Sequence, residues 1–219
     1  MFDIILPVRN RFKTLKFTLN SCIKFIQSDE RISGSRILII DNKSTDIPRD
    51  YFKKFPKFVN YIKYDELLPM NENWERALEL VHNKYFTFIG SDDGLIFNRN
   101  TINKIIEYES YKCFFWQKIC YFWPSSIAKD SKAKFSIPLP FYSEGEIKTQ
   151  EIIENILKKQ LPWNFLPTVY NSFCSKEIIN KFYNKYQSVN FFWNSNPDIC
   201  SGQNIVLNLD NVFYLEEPL

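Results

Sequence analysis

Glycine is scarce in this chain: five residues in 219. A phosphate-binding loop of the glycine-rich kind needs several at fixed spacing, so that class is all but excluded. Histidine occurs once, at His82, which removes every His-rich metal site. The five cysteines are odd in number and form no C-x-x-C pair, which argues against a disulfide framework or structural zinc and favours a reducing compartment. No apolar run approaches the ~20 residues of a bilayer span. The N-terminal run of "MFDIILPVRNR" carries an acid and a proline and is too short for a signal peptide. A cytoplasmic protein without a transmembrane segment is therefore expected. Charge of one sign is also lacking. With 28 basic and 25 acidic residues the formal net charge is +3, not the basic excess of a nucleic-acid binder.

What is abundant is apolar and aromatic residues, 45% and 17% of the chain. The length suits one large domain with a sizeable core. "FDIILPV" and "RILIID" read as buried strands, and "FVNYIKY" as a third. Between the first two, Phe12, Leu15, Leu19, Cys22, Ile23 and Ile26 recur at helical spacing, predicting an amphipathic helix over 11–27. Asn71 or Asn73 is expected to open a helix carrying Trp74, Ala77, Leu78 and Val81, with "YFTFIG" as the following strand. Helices are expected at 99–110, 148–160 and 175–187. "CFFWQKICYFW" (113–123) reads as strand or hairpin, the polar, proline-containing 124–146 as loop, "PDICSGQNIVLNL" as a helix and "NVFYLEEPL" as a last strand. Such alternation makes an α/β fold, a mainly parallel Rossmann-like sheet flanked by helices in a single domain.

Ligands of an open parallel sheet bind beyond the carboxyl ends of the strands. Three strands here end in "PVRNR", "DNKSTD" and "SDDG", which brings Arg9, Asp41, Asp92 and Asp93 to one rim. Asp92 and Asp93 repel each other unless a cation compensates, and a hard divalent ion such as Mg²⁺ or Mn²⁺ would do so while keeping positions open for phosphates. The plainer alternative is a solvated Asp-Asp-Gly turn.

Taken together, "DIILPVRNR", "ILIIDNKSTD", "LPMNENWERALEL" and "YFTFIGSDDG" resemble the family-2 glycosyltransferases with their A-type nucleotide-sugar fold, over residues 3–97. A weaker echo follows at "NPDICSG". The resemblance implies a nucleotide-sugar half at 1–110 and an acceptor-side half of the same domain at 111–219. It implies Pro7, Val8 and Arg9 at the nucleotide pocket, Asp41 accepting from the nucleobase, and Asn73 at a helix start near the nucleotide. Asp93 would hold Mn²⁺ or Mg²⁺, and Asp92 would share the ion or lie against the ribose. Asp198 would be the base that deprotonates the acceptor.

Each has a plainer reading. Asp41 could make an Asx turn, Arg9 could be a loop cation, Asn73 an N-cap, and Asp198 a helix N-terminal acid. His82 suits a surface or helix-end role, and Trp74 the core. The pattern departs from the family's D-x-D, because Gly90 stands two residues before Asp92. The chain also ends at "EEPL", where relatives of this kind often continue.

The implied activity is transfer of a sugar from a nucleotide diphosphate, a UDP-sugar first, to a glycan or lipid-linked acceptor hydroxyl, with inversion, in polysaccharide or glycoconjugate synthesis. Trp116, Trp123, Trp163, Phe191, Phe192 and Trp193 are candidates for stacking on sugar rings, or for the core. A non-catalytic nucleotide-sugar-binding domain is the main rival. A sugar nucleotidyltransferase ranks below it, because "PVRNRFKT" lacks the glycine-rich loop those enzymes need.

Overall fold

A computed structural model describes residues 1–96, 98–122, 124, 132–137 and 139–217. Its centre is an eight-stranded sheet. The first four strands in the chain are β1 (Phe2–Val8), β2 (Arg36–Asn42), β3 (Val59–Tyr64) and β4 (Tyr85–Phe88). Strands β1, β2 and β4 are largely apolar and buried, the edge strand β3 is half-buried, and the four take the order β3-β2-β1-β4, all parallel. Residues of alternating parity point to opposite faces, so both faces must be covered.

Helices α1 (Phe12–Gln27) and α3 (Arg99–Glu107) cover one face. There Leu15, Leu19, Ile102 and Ile105 pack with Ile4, Leu6, Ile37 and Ile39. Helix α2 (Met70–Leu78) lies on the other, its Trp74, Ala77 and Leu78 packing with Ile5, Leu38 and Ile40. That same face carries α4 (Thr149–Leu157), α5 (Lys176–Lys185) and α6 (Pro197–Asn208). Complete burial of an Ile, Leu or Phe side chain contributes roughly 1.5–3 kcal/mol, so these two layers hold the domain together.

The second half of the sheet is mixed. Strands β5 (Cys113–Trp116), β8 (Gly145–Lys148), β9 (Ser172–Ser175) and β10 (Asn211–Leu215) extend it in the order β4-β9-β5-β10-β8. Strand β9 is antiparallel to both β4 and β5, β10 is parallel to β5, and β8 is antiparallel to β10.

Three expectations need correcting here. Residues 113–123 are neither one strand nor a hairpin. Fully buried β5 belongs to the sheet, whereas exposed β6 (Cys120–Phe122) leaves it and pairs with β7 (Lys134–Ser136) in a separate ribbon. The expected loop 124–146 thus holds β7 and the start of β8. Helix α2 starts at Met70 behind Pro69, whose φ of −53° suits a helix entry, so neither Asn71 nor Asn73 opens it.

Candidate active site

The acid pair stands just past β4. Ile89 and Ser91 are buried, and the chain turns as the Asp93 N–H donates to the Gly90 carbonyl at 3.0 Å. Helix α1 fixes this turn from below. The Thr18 hydroxyl donates to the Asp93 carbonyl at 2.6 Å, and Leu95 N–H donates to the Ser21 hydroxyl at 3.1 Å. The Asp93 carboxylate folds back over Gly90, where an added Cβ would meet Oδ2 at 2.4 Å. Position 90 must lack a side chain for Asp93 to adopt this pose. The missing first acid of D-x-D and the placement of Asp93 are therefore one feature.

The two acids differ in their partners. Asp92 Oδ2 accepts from Arg11 Nη1 at 2.7 Å in an exposed ion pair. Asp93 has its carboxyl pushed above the ordinary range, first by desolvation and then by the Asp92 charge, with a Gly90 backbone hydrogen bond and Lys118 pulling the other way. Both line a cleft of about 650 Å³ together with Trp116, Lys118, Tyr170 and Asp198. Tyr170 stands among the acids. Its phenol is pushed up by burial and then by Asp93, Asp198 and Asp92, so it stays protonated as a donor. Its ring meets Trp74 edge-on at 4.9 Å, and its N–H donates to the Thr168 hydroxyl at 3.3 Å.

Asp198 reaches the cleft from α6. Pro197 occupies the first helical position and Asp198 the second, half-buried, with Oδ1 accepting from the Ile199 N–H at 3.0 Å. That position serves a helix N-terminus and also faces the space beside Asp93.

The remaining expected residues lie outside this cleft. Asp41, wholly buried at the end of β2, accepts from Ser44 N–H at 2.7 Å through Oδ1 and from the Tyr61 hydroxyl at 2.5 Å through Oδ2. It makes the Asx-type turn, with both oxygens engaged. Asn73 is buried inside α2, and its Oδ1 accepts from the Arg76 guanidinium, which also reaches Asn42 and stacks on Tyr64 at 3.6 Å. Val8 is a core residue, Pro7 is half-buried, and Arg9 is exposed. Arg11, two residues on, makes the contact with the acid pair instead.

Phe191 and Phe192 are fully buried core residues rather than stacking platforms, and Trp116 is buried beneath the cleft. Trp163 and Trp193 are exposed, and Trp123 lies outside the described residues. Sequence reasoning did not single out Arg11, Lys118 or Tyr170. Arg11 lay in the quoted "PVRNR". Lys118 and Tyr170 fall in irregular segments that carry no periodicity.

Among the described residues, no three His, Cys, Asp or Glu side chains converge as a metal cage. The donor set still suits a hard ion. Mg²⁺ and Mn²⁺ need only one or two protein carboxylates when diphosphate and water complete the shell, and the charge of Asp93 is compensated only in part, by a Gly90 backbone hydrogen bond and Lys118.

The order of the sheet and the rim of acids define an A-type glycosyltransferase fold. Comparison with known proteins agrees. The model of "Glycosyl transferase family 2" matches residues 3–109, so that region of the chain is similar to this family. An uncharacterized glycosyltransferase of Mycoplasma genitalium is 26% identical over 181 residues, covering 70% of this chain and 59% of its own. Crystal structures of S. aureus TarS residues 1–349 cover 99% of this chain. The complex with UDP has a TM-score of 0.71 at 15% identity, and that with UDP-GlcNAc 0.69 at 16%. The chain spans 58% and 56% of those two TarS chains. Among the described residues, no helix is long and apolar enough to cross a membrane.

Proposed function

We propose that this chain transfers a sugar from a nucleotide diphosphate, a UDP-sugar in the first instance, to an acceptor hydroxyl with inversion. The single observation carrying the reading is that Asp92, Asp93 and Asp198, from opposite halves of the chain, line one cleft. TarS, crystallised with UDP and with UDP-GlcNAc, supports the donor class.

On this reading Asp93, with Asp92 beside it, holds Mn²⁺ or Mg²⁺, whose chemistry there is countercharge for the diphosphate. Arg11 and Lys118 add fixed positive charge at the same rim, where the departing diphosphate gains negative charge. Asp198 takes the proton of the acceptor hydroxyl from the far side of the sugar, which gives inversion. Tyr170, protonated in the same cleft, would donate a hydrogen bond to the bound donor. The acceptor is a glycan or a lipid-linked sugar. An intracellular setting belongs to the same proposal, supported by five free thiols, four of them buried.

A panel of nucleotide sugars, with Mn²⁺ and with chelator, tests it by thermal shift and by turnover. A UDP-sugar should raise the melting temperature only with metal, and Asp93→Asn should remove that rise while the unliganded protein melts as before. Equal affinity in chelator and in Mn²⁺ would sink the metal role. Binding without transfer or hydrolysis would favour the non-catalytic reading.

A further inference from the structure

The ribbon of β6 and β7 stands apart from the sheet, and what it exposes is unusual. Phe135, Ile137 and Leu139 are 70%, 70% and 86% exposed. Large apolar side chains left this exposed and this close in the chain mark an interaction site. Two ring contacts accompany these side chains. Phe135 lies against Tyr121 at 5.0 Å, and both border the cleft, while the exposed Phe141 lies 6.1 Å from Phe165 on the Trp163–Phe165 turn, where Trp163 is also exposed. A two-stranded ribbon is marginal in water by itself, so this one gains from a surface to lie on.

The charge of the segment says which surface. Residues 117–142 hold Lys118, Lys129, Lys132 and Lys134 against one acid, Asp130. That excess equals the +3 formal net charge of all 219 residues, so the rest of the chain is balanced. Lys132 and Lys134 are exposed directly beside Phe135. Exposed apolar side chains and lysines concentrated in one short segment suit the interface of an anionic bilayer. A soluble glycan would need polar partners rather than Ile137 and Leu139. A purely protein partner would not call for the local concentration of lysine.

We propose that the β6–β7 ribbon and the 137–141 segment dock this protein on an anionic lipid surface, with Phe135, Ile137 and Leu139 entering the interface and Lys132 and Lys134 at the headgroups. Docking there brings the cleft mouth, bordered by Tyr121 and Phe135, against the membrane plane.

Co-sedimentation with vesicles tests this, comparing phosphatidylcholine alone with phosphatidylcholine plus phosphatidylglycerol. Binding is expected on the anionic vesicles, weakening as salt is raised. The triple variant Phe135→Ser, Ile137→Ser, Leu139→Ser should lose it. The double variant Lys132→Gln, Lys134→Gln should weaken it on the order of ten- to thirty-fold, from the attraction each lysine has for an anionic surface. All five side chains are exposed, so the variants should melt with the parent, and a melting curve for each checks that. No binding to anionic vesicles, or equal binding by parent and triple variant, overturns the proposal. So does a parent that is dimeric in sedimentation velocity where the triple variant is monomeric, since a second copy would then be the occupant.

Discussion

The two rims of the parallel strands treat charge in opposite ways. At the amino rim, Asp3 in β1 is wholly buried and fully satisfied. Arg36 at the head of β2 donates from Nε at 2.9 Å and from Nη2 at 2.8 Å. The His82 and Asn83 N–H groups and Asn83 Nδ2 complete its shell. Burial alone would raise the Asp3 carboxyl, but the Arg36 hydrogen bond and the three donors from 82–83 outweigh it, and it lies below the usual range. At the carboxyl rim, Asp93 is pushed the other way and Asp198 faces open space. A charge that is fully bonded stabilises the fold. One left short of partners is held there by the rest of the structure and is available to a ligand. Asp41 stands at the carboxyl rim yet behaves like Asp3, which separates position in the sheet from function.

The largest effect that sharpens this contrast belongs to Asp198. A positioned base contributes about 10²–10⁴ in rate, so Asp198→Asn should lower transfer by that order while donor affinity stays nearly constant. Isothermal titration with donor beside a turnover assay separates the two quantities. Full activity in the variant would return Asp198 to a helix N-terminal role.

Next in size is the amino rim. Asp3→Ala removes the buried carboxylate from the Arg36 fork and from the His82 and Asn83 N–H groups, leaving Arg36 only the Leu80 carbonyl, and breaking a pair of this kind costs about 3 kcal/mol. Denaturant unfolding should show that loss. Because the folded carboxyl of Asp3 is depressed, its stabilisation is present above the unfolded pKa. It fades as pH falls through the folded one. A variant as stable as the parent would contradict the view of this rim as structural.

Asp41→Ala follows, at about 2–3 kcal/mol, since hydrogen bonds to a charged group are worth ~1.5–3 kcal/mol and Tyr61 and Ser44 N–H would lose theirs. Unfolding measurements should show the loss. Donor affinity unchanged by Asp41→Ala would remove the base-reading role that the resemblance implies. A selective loss of pyrimidine binding would restore it.

These cases show what the sequence could reveal. The strands β1, β2 and β4 were legible because parallel strands buried on both faces are nearly unbroken apolar runs, as in "DIILPV" and "RILIID". Asp92 and Asp93 were legible because fold logic takes strand ends to one rim and the motif is local, whereas Asp198 was reached only through the resemblance at "NPDICSG". Burial was not. "RILIID" and "YFTFIGSDD" both end an apolar strand in acid, and only Tyr61, twenty residues away, and Ser44 tell Asp41 from Asp93. Lys118 and Tyr170 reach the cleft through an irregular segment and a turn, where no period announces them. The insertion of β9 between β4 and β5 is a long-range pairing that local pattern does not encode.

The smallest effect is on the stability of Asp93 variants, and its sign is diagnostic. The folded carboxyl titrates above its unfolded value, so the folded state binds the proton more tightly. Stability from this group is therefore full below the unfolded pKa and declines as pH rises through the raised, folded one. At neutral pH the ionised acid is a burden that Asn lacks. Asp93→Asn should then be as stable as the parent or slightly more so, within about 0.5 kcal/mol, with the difference shrinking as pH is lowered into the carboxylate range. Paired denaturant melts at pH 7 and pH 4 read it. An Asn variant that is clearly destabilised at pH 7 would mean that Asp93, like Asp3 and Asp41, serves the fold, and the contrast between the two rims would fail at the residue on which it depends most.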